Sequence, residues 1–111
     1  MTLHTLSSGS QGNCLLLSDG DTHILVDAGI STRRIKAGLA QLELSMDELD
    51  GILITHEHTD HISGLATLIK HHSIPLYASP GTARQLAYRL AGVEPLLRPR
   101  EPGCQLSLIH I

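Results

Sequence analysis

Residues 55–61 read Thr55-His56-Glu57-His58-Thr59-Asp60-His61, directly after the apolar run Gly51-Ile52-Leu53-Ile54. Three imidazoles and a carboxylate fall within six residues. In an extended segment the side chains at i, i+2 and i+4 share a side, so His56, His58 and Asp60 can converge, with His61 following as the chain turns. Imidazole nitrogen and carboxylate oxygen are the donors that zinc and similar divalent ions accept. The stretch therefore reads as a metal site of catalytic type. Four donors from one short loop crowd a single tetrahedral ion. Two ions about 3.5–4 Å apart relieve the crowding, with His56 and His58 on one and Asp60 and His61 on the other. Such a site makes hydroxide available near neutral pH for hydrolysis. Asp60 has two readings, ligand alone or ligand and proton acceptor for the attacking water, and both stay open. Glu57 and Thr59 occupy the intervening positions and should point away.

Upstream, the strand-like Leu3–Leu6 and Cys14–Leu17 flank a Ser/Gly-rich stretch, Ser7-Ser8-Gly9-Ser10-Gln11-Gly12-Asn13. Asp19-Gly20 signals a hairpin into Ile24-Leu25-Val26, so the chain should open as an antiparallel meander ending at Asp27-Ala28-Gly29. Ser31 can cap a helix running to about Leu42, with Ile35, Leu39 and Leu42 as its apolar stripe. Ser45-Met46-Asp47-Glu48 has capping-box spacing and suggests one helical turn. Ile52–Ile54, apolar on both faces, should be a central buried strand. Leu65, Leu68 and Ile69 mark a helix ending near His71, and Ile74–Ala78 reads as a short strand. Ser79-Pro80 opens a further helix that Gly92 stops. Val93–Gly103, with three prolines, reads as loop. Elements in this order indicate an α/β layer rather than a bundle or an all-β barrel.

Bulk properties set outer bounds. The chain has 111 residues, no Phe or Trp, and a formal charge of −3. One small domain fits, with a core of Leu, Ile, Val and Ala and a modest stability margin. No basic block argues for a nucleic-acid partner, although a metal site supplies positive charge of its own. Two well-separated cysteines make no disulfide framework, and no run approaches a membrane span. A cytoplasmic protein without membrane association is expected.

Thr55–His61 with Ile62-Ser63-Gly64 resembles the His-x-His-x-Asp-His signature of the metallo-β-lactamase fold superfamily. Ile24–Gly29 is similar to that family's strand ending in an Asp-x-Gly turn, and Ser7–Cys14 resembles its YycJ/WalJ-type branch. The resemblance implies an αββα sandwich (α/β, or α+β, in class) with two divalent ions at one edge, zinc foremost and manganese or iron as alternatives. It implies a hydrolase of phosphodiester bonds, a nuclease or phosphodiesterase using a metal-bound hydroxide, acting on nucleic acid or a small phosphodiester. A thioester or lactone hydrolase of the glyoxalase II kind would use the same site. Carried over by position, His56 and His58 match ligands of the first metal and Asp60 and His61 ligands of the second. Asp27 matches a second carboxylate that orients a ligand histidine or the motif loop, its plainer reading being a turn residue before Gly29.

The family draws further ligands from the second half of its fold, and nothing after His61 supplies them in motif context. His71-His72 reads as a surface pair at a helix end. Residues 1–111 are thus expected to be a truncated N-terminal half, able to act only with the rest or else a non-catalytic fragment. Leu106–Ile111 is either a native strand cut short or a non-native tail. The Ser/Gly loop is read either as a phosphate contact or as a flexible connection; a P-loop lysine is missing from it.

Overall fold

Residues 2–7, 12–55, 64–90 and 92–99 are described by the computed structural model. The alternation in the first 26 residues builds the expected meander: β1 (Thr2–Ser7), β2 (Cys14–Asp19) and β3 (Thr22–Val26) pair antiparallel in turn. The hairpin closes one residue later than Asp19-Gly20 suggests. Asp19 pairs with Thr22, and Gly20 (φ 62°) takes the left-handed conformation such a turn needs.

From β3 onward the sheet is parallel. The strands β4 (Gly51–Leu53), β5 (Leu76–Ala78) and β6 (Leu97–Pro99) add in chain order, giving a six-stranded sheet β1-β2-β3-β4-β5-β6. β6 corrects the reading of Val93–Gly103 as loop. Glu94–Leu96 forms a 3-10 turn, after which Leu97 and Pro99 register with Leu76 and Ala78. A proline cannot donate to a ladder, and the outer position of β6 is where a sheet tolerates one.

Helices cross between the parallel strands. α1 (Thr32–Gln41) is capped by the Ser31 hydroxyl, which accepts from the Arg34 N–H at 3.2 Å. α2 (Leu65–His71) and α3 (Pro80–Arg89) follow, the latter capped by Ser79 with Pro80 in its first turn. The turn Met46–Glu48 precedes β4, and the Glu48 carboxylate accepts from the Ser45 N–H at 2.7 Å. Ile35 and Leu39, Leu65 and Leu68, and Ala83 and Leu86 are the buried positions of the three helices.

These residues share one core with Leu16, Leu25, Ile52 and Leu76, which register across the sheet on one face. Each such side chain taken wholly from water contributes about 1.5–3 kcal/mol. The opposite face carries Leu15, Leu17, Ile24, Val26, Leu53 and Tyr77, also in register with one another. Of these only Ile24 is buried, and Leu3 beside them is 59% exposed. The sheet is therefore apolar on both faces, while the helices' buried residues gather on one.

Candidate metal centre

In the ladder, β1 and β3 run the same way as β4 and β5. The segments that follow these four strands consequently leave from one edge of the sheet. Ligand sites of open α/β sheets lie at such carboxyl ends. His56, His58, Asp60 and His61 belong to the segment after β4 and lie outside the described residues, as do residues 8–11 of the Ser/Gly stretch and Leu106–Ile111. Among the described residues no group of three or more His, Cys, Asp or Glu could hold a metal ion.

The stems of the histidine segment are in view, and both attach to the turn after β3. Asp27 is 5% exposed and takes a left-handed backbone conformation (φ 64°), which Asp and Asn tolerate better than most residues. Its N–H donates to the Leu53 carbonyl at 2.8 Å, which locks the turn to the end of β4. Both carboxylate oxygens then reach Thr55. Oδ1 accepts from the Thr55 N–H at 2.9 Å and Oδ2 from the Thr55 hydroxyl at 2.8 Å. Thr55 immediately precedes His56, so Asp27 grips the first stem.

The second stem is held through its own backbone groups. The Gly64 N–H donates to the Ala28 carbonyl at 2.9 Å, and the Thr32 hydroxyl reaches the Gly64 carbonyl at 3.4 Å. A Cβ at Gly64 would stand 1.8 Å from the Ile30 carbonyl oxygen, so only glycine allows this approach. A parallel arrangement closes the other side of the turn. The Gly29 N–H donates to the Asn13 carbonyl at 2.9 Å, and a Cβ at Gly12 (φ 126°) would meet the Gly29 carbonyl oxygen at 2.2 Å. Ser7 Oγ donates to the Gly12 carbonyl at 3.0 Å across the Ser/Gly stretch. Residues 27–30 thus form a hub on which the segments after β1 and β4 converge.

Cys14 sits at this edge too. Burial pushes its thiol up to about 12, the Asp27 charge adds to the rise, and Arg34 opposes it. A neutral, buried thiol is neither a nucleophile nor a ready metal ligand at neutral pH. His71 and His72 lie at the end of α2, at the opposite edge of the sheet ahead of β5; His71 is exposed, whereas His72 is half-buried with its Nε2 turned inward, which corrects the reading of both as surface residues.

Residues 8–105 match the model of the Metallo-beta-lactamase superfamily. The chain belongs to this superfamily. Exodeoxyribonuclease YycJ of Bacillus anthracis is 39% identical over 95 residues, which is 84% of this chain and 36% of that protein. Exodeoxyribonuclease WalJ of Streptococcus pneumoniae is 44% identical over 77 residues, 69% of this chain and 29% of that protein. Among solved structures, the Rm3 metallo-beta-lactamase superposes with a TM-score of 0.65 at 31% identity, over 77% of this chain and 32% of the other. The chain spans about a third of the length of each. Metallo-beta-lactamase folds imply divalent metal ions, and the donor set of residues 56–61 fits them in chemistry. Its two stems fit as well, since both are fixed to one hub at a sheet edge.

The resemblance pointed Asp27 toward a ligand histidine or the motif loop, without singling out Thr55. Thr55 and Gly64, which stand on either side of the histidine segment in the sequence, are the residues held at the hub. The available signal was glycine directly after the motif, a residue type that marks close backbone approach.

Proposed function

We propose that the chain is the N-terminal part of a metal-dependent phosphodiester hydrolase that acts on nucleic acid. The observation that carries this reading is the double attachment of the histidine segment, through Thr55 to Asp27 and through Gly64 to Ala28. A catalytic metal loop must hold its donors in one geometry through turnover, and fixed stems serve that need. Identity to two exodeoxyribonucleases supports the phosphodiester as substrate.

In this reading His56 and His58 hold one divalent ion and Asp60 and His61 a second, with zinc foremost and manganese or iron as alternatives. Bound there, the ions supply the charge that ionises water near neutral pH and offsets negative charge growing on a phosphoryl oxygen. Asp60 also accepts the proton of the attacking water. Asp27 positions Thr55 and, with it, the first donor. The length ratio to the relatives supports taking the remaining ligands from sequence beyond residue 111.

The test is hydrolysis by metal-loaded protein produced from the complete reading frame. Labelled DNA oligonucleotides, a chromogenic phosphodiester and a glutathione thioester are offered in parallel. Cleavage of the phosphodiesters, abolished by chelator and by His58→Ala, is expected. Turnover of the thioester alone would replace the reading with the glyoxalase II-like one.

A further inference from the structure

Charge is distributed unevenly along this chain. From His61 to Val93 there is neither Asp nor Glu, while Lys70, Arg84 and Arg89 fall inside the stretch. Of the eleven acidic residues, all but Glu94 and Glu101 precede it. α3 lies within this acid-free region and begins directly after β5, at the edge of the sheet where Thr55 leaves β4.

The outer face of α3 is formed by Gly81, Arg84, Gln85 and Tyr88, all exposed and spaced as one helical stripe. Tyr88 is 90% exposed although the chain has only two aromatic residues. A lone exposed hydrophobic residue is ordinary. Here it stands one turn from Arg84, whose Nη2 lies back over Gly81, 3.9 Å from where a Cβ would be. Helical side chains lean toward the N-terminus, so the guanidinium reaches toward the sheet edge that carries the histidine segment. A cation nearest that edge, an amide beside it and an open aromatic ring below are the groups that hold a flexible polyanion with exposed bases. Phosphate pairs with Arg84, and a base stacks on Tyr88. A protein partner would more often bury an aromatic ring within an apolar surround. Among the described residues, the exposed side chains beside Tyr88 on the helix, Arg84, Gln85 and Arg89, are polar or charged.

We infer that the outer face of α3 binds single-stranded nucleic acid and leads it toward the metal edge. The inference rests on the phosphodiester reading above and gives it a substrate form, a single strand.

Binding without cleavage is measured on the full-length protein in chelator, by anisotropy of a labelled oligothymidylate and of a duplex of equal length. Tyr88→Ala should weaken oligothymidylate binding about tenfold, and Tyr88→Trp should restore it. Arg84→Gln should lower the slope of log affinity against log salt by about 0.7, the share of one single-strand phosphate contact. Both changes lie on the exposed face, and circular dichroism of each variant checks that the fold is kept. Unaltered oligothymidylate binding in both variants would overturn the inference, as would duplex binding that is tighter and indifferent to Tyr88. The outcomes separate from the functional reading. If the wild-type protein, metal-loaded, cleaves no phosphodiester, that reading fails while Tyr88-dependent binding still supports the surface. Cleavage combined with Tyr88-independent binding removes the surface alone.

Discussion

From one residue, Asp27 ties its N–H to Leu53 and its two oxygens to the N–H and hydroxyl of Thr55. Asp27→Ala takes from the Thr55 N–H and hydroxyl the charged acceptor of two part-buried hydrogen bonds. A loss of about 1.5–3 kcal/mol in urea unfolding is expected. Asp27→Asn keeps one acceptor and the tolerance for positive φ, and should lose less. Metal affinity, read by competition with a chromogenic chelator, should fall in the same order. Cys14 supports a prediction in pH. Its folded value near 12 lies above the ordinary 9.0, so between these limits the unfolded chain releases a proton that the folded chain keeps. Stability from this thiol is complete below about pH 9 and declines toward pH 12, by at most about 1.4 kcal/mol per unit. Denaturation midpoints of wild type and Cys14→Ala should diverge in slope over that window and run parallel below it.

At the scale of elements, the helix starts were readable because they are local chemistry. Ser31 and Ser79 supply the capping oxygens that short-range patterning demands. Ser31→Ala or Ser79→Ala should each cost about 1 kcal/mol by thermal unfolding. Strand β4 was equally plain, since a run apolar on both faces can only be central. What resisted reading was long-range. Leu97–Pro99 becomes a strand only because β5 presents a free ladder beside it, and nothing in its own prolines announces this. The hub at residues 27–30 depends on segments brought together from four parts of the chain. The histidine motif stands out in the sequence, yet the contacts of the residues on either side of it do not, because Thr55 and Gly64 meet the hub through two backbone N–H groups and one hydroxyl with no pattern of their own. Gly64→Ala tests that role. Its Cβ would meet backbone rather than a yielding side chain, so a loss near 3 kcal/mol is expected in chemical denaturation.

The whole molecule, 34 × 29 × 26 Å, is a sheet with helices gathered over one face. Leu15, Leu17, Val26, Leu53 and Tyr77 remain half-buried on the other, with Leu3 open beside them. A contiguous apolar surface of this kind draws other surfaces to it. Residues 1–111 produced alone should therefore self-associate, seen as a concentration-dependent sedimentation coefficient. Paired Leu3→Lys and Leu53→Lys changes should shift the population toward monomer. The same face accounts for the near-absence of polar alternation in β3 and β4. Those strands are composed for burial on both sides.

The two stems at Asp27 and Ala28 also have a consequence in polymer terms. In the proposed reading residues 56–63 carry all four donors, and the residues on either side, Thr55 and Gly64, are bonded to adjacent points of one turn. Closure of a short segment removes most of its configurational volume before any ion arrives. The donors then face an incoming cation at a raised effective concentration, as the arms of a chelator do. Loosening either stem dilutes them. In that reading, affinity for the ion would be written partly into a threonine and a glycine outside the donor set.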